Sequence, residues 1–170
     1  IWGKQGWLVP FENFSAEYDA DDILPTVRDA LSYEGKMYSV PFYAESAMTF
    51  YRKDLVEAAG LTMPEQPTWT QITEIASKLH NPDNGVAGIC IRGLPGWGEN
   101  MALLGLMGNV YGGTQFNMDW TSAVNSPEWN NAINAYVNLA NNYGPPGVVG
   151  NGFNENLNML AEGKCAMWND

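Results

Sequence analysis

Two carboxylates, one guanidinium and a set of aromatic rings stand where an α/β chain places its ligands. Tyr43 and Glu45 fall at a bend between two apolar stretches, Met37–Phe42 and Met48–Tyr51. Arg92 and Trp97 follow the apolar run around Cys90, and Asn169 and Asp170 close the chain. The glycine-rich stretch from Gly147 to Asn156, which carries Phe153, is expected to close over the same edge. In open α/β sheets, ligands gather outside the carboxyl ends of the strands. Charged side chains bond strongly to hydroxyls, which donate and accept alike, and aromatic faces cover C–H surfaces of the same molecule. Tyr43, Glu45, Arg92, Trp97, Phe153 and Asp170 together suit a small neutral, polyhydroxylated ligand.

Each of these residues also has a plainer use. Glu45 and Arg92 can simply neutralise one another. Trp97, between Gly96 and Gly98, has no packing frame and is expected to be exposed. Trp69, Trp129 and Tyr136 recur with other apolar residues at helical spacing and are assigned to the core. Trp168, inside a strand, fits either role, and His80 at a helix end suits the C-terminal dipole. The Asp19, Asp21 and Asp22 cluster lacks the glycine and terminal glutamate of a calcium loop, so it reads as helix capping.

Catalysis has thinner support. The chain has no Gly-x-Ser-x-Gly elbow, phosphate-binding loop, His-Glu-x-x-His helix or dinucleotide fingerprint. Glu45, Glu99 and Asp170 could supply the carboxylate pair of a glycosidase-like, carbohydrate-active enzyme, which stands as the second reading. The first is a binding protein that is not an enzyme and needs no cofactor and no metal.

The elements that must position these residues follow from composition and spacing. With 170 residues, 45% hydrophobic and 16% charged, the chain can bury a core, as one domain or a large part of a two-lobed protein. Nineteen acidic against eight basic residues give a formal charge of −11, which repels phosphate backbones and anionic lipid and argues against a nucleic-acid partner. The longest weakly polar run, Met101–Val110, is far short of the ~20 residues of a membrane span, so no direct membrane insertion is expected. Seven tryptophans exceed what such a core needs, and some are expected to face a ligand. The chain starts at Ile1 without a leader and stops within a strand, and so reads as a piece of a longer protein. Cys90 and Cys165 lack metal or redox spacing and read as two buried free thiols; a bridge is open only in an oxidising compartment.

A short helix is expected around Asp22–Leu31, then one long bent strand or two collinear ones from Lys36 to Tyr51. Asp54–Ala59 is a short helix stopped by Gly60. Thr68 and Gln71 form a capping box for a helix reaching Leu79. A strand over Val86–Arg92 precedes helices over Glu99–Val110, from Ser126-Pro127 to the Gly144 stop, and Phe153–Ala161; Lys164–Asn169 is the last strand. This alternation predicts an α/β fold with a largely parallel sheet flanked by helices.

The segment Gly35–Leu55, with its Pro41-Phe-Tyr-Ala-Glu45 centre, resembles the crossover of extracellular solute-binding proteins of bacterial ABC importers, in the maltose-binding-protein-like group. Pro67-Thr-Trp69 and Ala161-Glu-Gly-Lys-Cys-Ala-Met-Trp168 fall where that group has them. More narrowly, Ile1–Pro10, Ala16–Pro25, Gly88–Gly93 with Gly96–Met101, and Tyr143–Gly147 with Asn151–Asn156 resemble the sorbitol/mannitol (polyol) binding proteins. The resemblance implies an incomplete lobe of the type II periplasmic-binding-protein fold. Residues 1–34 would be a fringe of the first lobe, 35–52 the crossover, and 53–170 the truncated second lobe. It further implies binding of a sugar or polyol between lobes, delivery to a membrane permease, and a periplasmic or cell-surface location. By position, Glu45 falls in the crossover, Arg92–Trp97 in a cleft-facing loop, and Asp170 near the return crossover.

Overall fold

A computed structural model describes residues 1–43 and 45–170; Ala44, within the expected bend, lies outside the described residues. The chain divides into two compact units, Ile1–Ser46 and Ala47–Asp170.

In the first unit, helix α1 (Pro25–Ala30) begins with proline at its first turn, where the missing N–H costs nothing. Strands β1 (Ser32–Tyr33) and β2 (Lys36–Met37) pair antiparallel. Glu34 and Gly35 turn between them with φ of 50° and 75°, the left-handed pair a tight hairpin requires. Phe11 bridges to Met37, which is buried, and Phe14 stacks between Phe11 and Tyr18.

Of the one long bent strand or two collinear ones expected from Lys36 to Tyr51, the described residues form two short strands rather than one long one. Pairing stops at Met37 and resumes only in β3 (Thr49–Tyr51) of the second unit. Pro41 has no N–H to give a ladder, and hydrophobic runs do not reveal which stretches find a partner strand.

The second unit is α/β. β3 pairs antiparallel with β4 (Met167–Asn169), Phe50 opposite Trp168. On the other side, Ala87 bridges Cys165 and Cys90 bridges Trp168 in parallel, so residues 86–92 run alongside as an irregular third member. The sheet is therefore mixed rather than largely parallel, because β3 opposes its neighbour. Residues 86–92 do not form a regular strand: their bridges to the neighbouring segment, at Ala87 and Cys90, are three residues apart, and between them the Ile89 N–H donates to the Tyr143 carbonyl at the end of α5, at 3.1 Å.

Side chains of these segments divide between two clusters, without strict alternation, because same-cluster residues recur at a spacing of three (Ala87 and Cys90, Cys165 and Trp168). Ile89, Ile91 and Met167 enter the main core with α2 (Lys53–Ala58), α3 (Trp69–Leu79), α4 (Asn100–Val110) and α5 (Pro127–Tyr143). Ala87, Cys90, Cys165 and Trp168 form a second cluster with Met159 and Leu160 of α6 (Phe153–Ala161). Helix α3 starts with the expected capping box: Gln71 N–H donates to Thr68 Oγ1, and the Thr68 N–H donates to Gln71 Oε1. Its Trp69, Ile72, Ile75 and Leu79 are buried on one face, each worth about 1.5–3 kcal/mol. Ser126 caps α5 with Pro127 in its first turn. Trp129 and Trp69 are core residues, as their spacing implied.

The cysteines correct a second expectation. Cys90 and Cys165 are joined in a disulfide with Cα atoms 5.9 Å apart, not left as free thiols. Their segments run side by side in parallel, and that register brings two distant positions within bridging reach.

Candidate functional site

Arg92 is placed by what precedes it. Ile89, Cys90 and Ile91 are fully buried and fix the backbone, so the guanidinium emerges at the carboxyl end of that segment. Three further bonds hold its turn: Tyr136 Oη donates to the Arg92 carbonyl at 2.7 Å, and the Gly93 and Leu94 N–H groups share the Asn151 carbonyl at 2.9 and 3.0 Å. Half-burial of Tyr136 raises its phenol above the usual tyrosine range, keeping it a donor.

Asp170 meets Arg92 from the neighbouring strand end. Arg92 Nε donates to Asp170 Oδ2 at 2.6 Å, and Nη2 donates to the other oxygen, a two-pronged pair. The Met48 N–H donates to the Asp170 carbonyl at 2.8 Å, and the Asp170 N–H returns a bond to Met48 at 3.1 Å, so β3 registers this residue. Nη1 of Arg92 donates to the Gly98 carbonyl and lies 4.0 Å from Glu99 Oε2. The Phe153 ring, at the start of α6, covers the guanidinium with its centroid 5.1 Å from Cζ. Phe153 also meets Trp168 edge-on at 5.4 Å, and Trp168 stacks on Phe50 at 5.4 Å.

The result is one patch of charge and rings at the carboxyl ends of both segments. Arg92, Asp170 and Phe153, assembled in sequence from three distant stretches, are in direct contact. Trp97 belongs to the turn whose Gly98 carbonyl holds Arg92, but its ring is 91% exposed and stands out into solvent. Tyr43 and Glu45 belong to the first unit, where both are exposed. Within the second unit, the carboxylates beside Arg92 are Asp170 and Glu99.

Several polar atoms of this patch are enclosed and have no hydrogen-bond partner among the described residues: Glu99 Oε2, Trp168 Nε1 and Asn169 Oδ1. Asn169 spends its Nδ2 on Thr49 Oγ1 at 2.9 Å. A pocket of about 80 Å³ opens beside Arg92, Asp170 and Asn169. A larger cleft of about 860 Å³ lies between β3, α3 and α4, and shares Asn169 with it. Among the described residues, Glu65 is the one charged side chain lining that cleft. Among the described residues, no group of His, Cys, Asp and Glu could hold a metal ion.

Sequence reasoning missed the part played by Tyr136, which its spacing sends to the core while its hydroxyl reaches Arg92. Glu99 was visible only as one of three carboxylates. Its position directly before a helix, after Gly98, was the available signal.

A model of the bacterial extracellular solute-binding protein family matches residues 1–170, and the chain belongs to that family. It is 52% identical over its whole length to a mannitol-binding protein of Pseudomonas aeruginosa, of which it spans 39%. Among solved structures it is similar to an ABC transporter solute-binding protein of Agrobacterium vitis with bound D-mannitol, with TM-score 0.89 and 51% identity over all of this chain and 41% of that one. A solute-binding protein of Agrobacterium radiobacter in complex with ribitol matches with TM-score 0.80 and 28% identity, over 99% of this chain and 43% of that one. The chain thus spans about two fifths of the length of these relatives. A maltose-bound structure from T. maritima at 21% identity and TM-score 0.81 shows the shared fold.

Proposed function

We propose that this chain is the greater part of one lobe of a polyol-binding protein that serves an ABC importer. Residues 1–34 contribute a fringe of the first lobe, 35–52 the crossover, and 53–170 the second lobe. The ligand is a sugar alcohol of the mannitol or sorbitol type, closed between lobes and passed to a membrane permease from the periplasm or cell surface. The observation that carries this reading is the Arg92–Asp170–Phe153–Trp168 patch, with charged groups and enclosed polar atoms beside aromatic faces. Such a surface matches a linear polyol, whose hydroxyls bond to the charged groups while its carbon chain lies on rings. The mannitol-binding relative and the mannitol- and ribitol-bound structures support a polyol as the ligand. The disulfide supports an oxidising compartment outside the cytoplasm.

The site is proposed to bind without turnover. Both oxygens of Asp170 accept from Arg92, and the relatives 52% and 51% identical to the chain are binding proteins. A calorimetric panel of mannitol, sorbitol, ribitol and maltose on the full-length protein tests the reading. Saturable binding of a hexitol, with the ligand recovered unchanged, is expected. Binding of none of the polyols, or chemical conversion of one, overturns it.

A further inference from the structure

We infer that Glu99 reads the charge of the ligand, so that the site accepts neutral and cationic polyols and rejects anionic ones. The inference rests on the polyol reading and extends it to a ligand class. The Glu99 side chain stands immediately before α4 and caps nothing there, so it is not spent on the helix. Its Oε2 is enclosed, 4.0 Å from Arg92 Nη1, and accepts no hydrogen bond among the described residues. The side chain nonetheless keeps 32% of its surface open. Asp170 already takes two donors of Arg92, and the Gly98 carbonyl takes a third. The carboxylates of Glu99 and Asp170 thus share one guanidinium, and the acceptor capacity left over belongs to Glu99.

Gly152 makes room for this carboxylate. A Cβ built there would lie 2.8 Å from Glu99 Oε2 and 3.2 Å from Oε1. A second buried group shows the same lack of a partner: Trp168 is 5% exposed, with its Nε1 unmatched, against the ring of Phe153 that covers Arg92. With Asn169 Oδ1, the patch therefore offers two surplus acceptors, of which Glu99 alone is charged, and one surplus donor. A hydroxyl satisfies both kinds, since it donates and accepts. An ammonium group satisfies the carboxylate with a charge-assisted bond. A ligand carboxylate or phosphate has no proton to give Glu99 and repels it.

The experiment is competitive calorimetry on the full-length protein with D-mannitol, 1-amino-1-deoxy-D-glucitol and D-gluconate at pH 7. In the wild type, the amino-alditol is expected within about tenfold of mannitol and gluconate at least 100-fold weaker than the amino-alditol. Glu99→Gln keeps the shape and removes the charge, and the gluconate-to-amino-alditol ratio should then fall at least fivefold. Gly152→Ala, which crowds the carboxylate without altering its charge, should weaken all three ligands together and leave that ratio within fivefold of wild type. A smaller fall in Glu99→Gln assigns the discrimination to the net charge of −11 and overturns the inference. A ratio below 100 in the wild type also overturns it. Absence of any mannitol heat in the wild type would instead overturn the polyol reading itself.

Discussion

Removing the Cys90–Cys165 crosslink should destabilise the protein more than any single surface change. The two cysteines are 75 residues apart in sequence, and the loop they close includes α4, α5 and α6. In the chain-entropy treatment, a loop of that size costs the unfolded state about 15 cal/mol/K, or about 4.5 kcal/mol at 25 °C. The bond also ties the segment ending in Arg92 to the segment ending in Asp170, because Cys90 lies two residues before one and Cys165 five before the other. Urea unfolding with and without dithiothreitol measures the effect. With a urea slope of about 1–3 kcal/mol/M, the midpoint should fall by roughly 1.5–4.5 M on reduction. A Cys90→Ala/Cys165→Ala variant should start at the lower midpoint and not respond to reductant. Alkylation without reductant followed by mass spectrometry should label neither thiol in the wild type. A midpoint shift under about 0.3 M, or two labelled thiols, would refute the crosslink and its energetic role.

Three further outcomes follow from named contacts. Tyr136→Phe removes the donor to the Arg92 carbonyl; chemical denaturation should show a loss of about 1 kcal/mol, and polyol affinity should fall although the hydroxyl faces the backbone. Trp97→Ala should change stability by less than about 0.5 kcal/mol, since the ring is 91% exposed, yet weaken polyol binding in calorimetry by roughly five- to a hundredfold; unchanged affinity would show that the ring does not cover the ligand. Arg52 holds the Asp54 carboxyl below the usual aspartate range through their hydrogen bond, so the stability it lends is complete above the ordinary aspartate pKa and lost as pH falls through the depressed value; Asp54→Asn should flatten that part of an acid titration of stability.

The helices were legible because their ends are written locally. The Thr68–Gln71 capping box, the Ser126-Pro127 start and the apolar spacing of Trp69, Ile72 and Ile75 all depend on neighbours within a few residues. Strand pairing was not legible. The run from Lys36 to Tyr51 has the composition of a strand, but among the described residues only Lys36–Met37 and Thr49–Tyr51 are strands, the first paired through a hairpin with Ser32–Tyr33 and the second with distant Met167–Asn169. The disulfide was hidden for the same reason, since it depends on the parallel register of residues separated by 75 positions. At the candidate site, the types of Arg92, Phe153 and Asp170 suggested polar recognition. Their mutual contact is a product of the tertiary fold, as is the reach of Tyr136 to the Arg92 backbone.

The central claim is that a polyol is read by the Arg92–Asp170 pair, and titration of D-mannitol into the full-length protein and its Arg92→Met variant tests it most directly. Methionine keeps a long side chain beneath the Phe153 ring while deleting every donor. A circular-dichroism melt confirms that the variant is folded at the titration temperature. Saturable one-to-one binding in the wild type and a loss of at least 100-fold in Arg92→Met are predicted, a loss of about 2.7 kcal/mol. Equal affinity in the two folded proteins, or no mannitol binding in either, would contradict it.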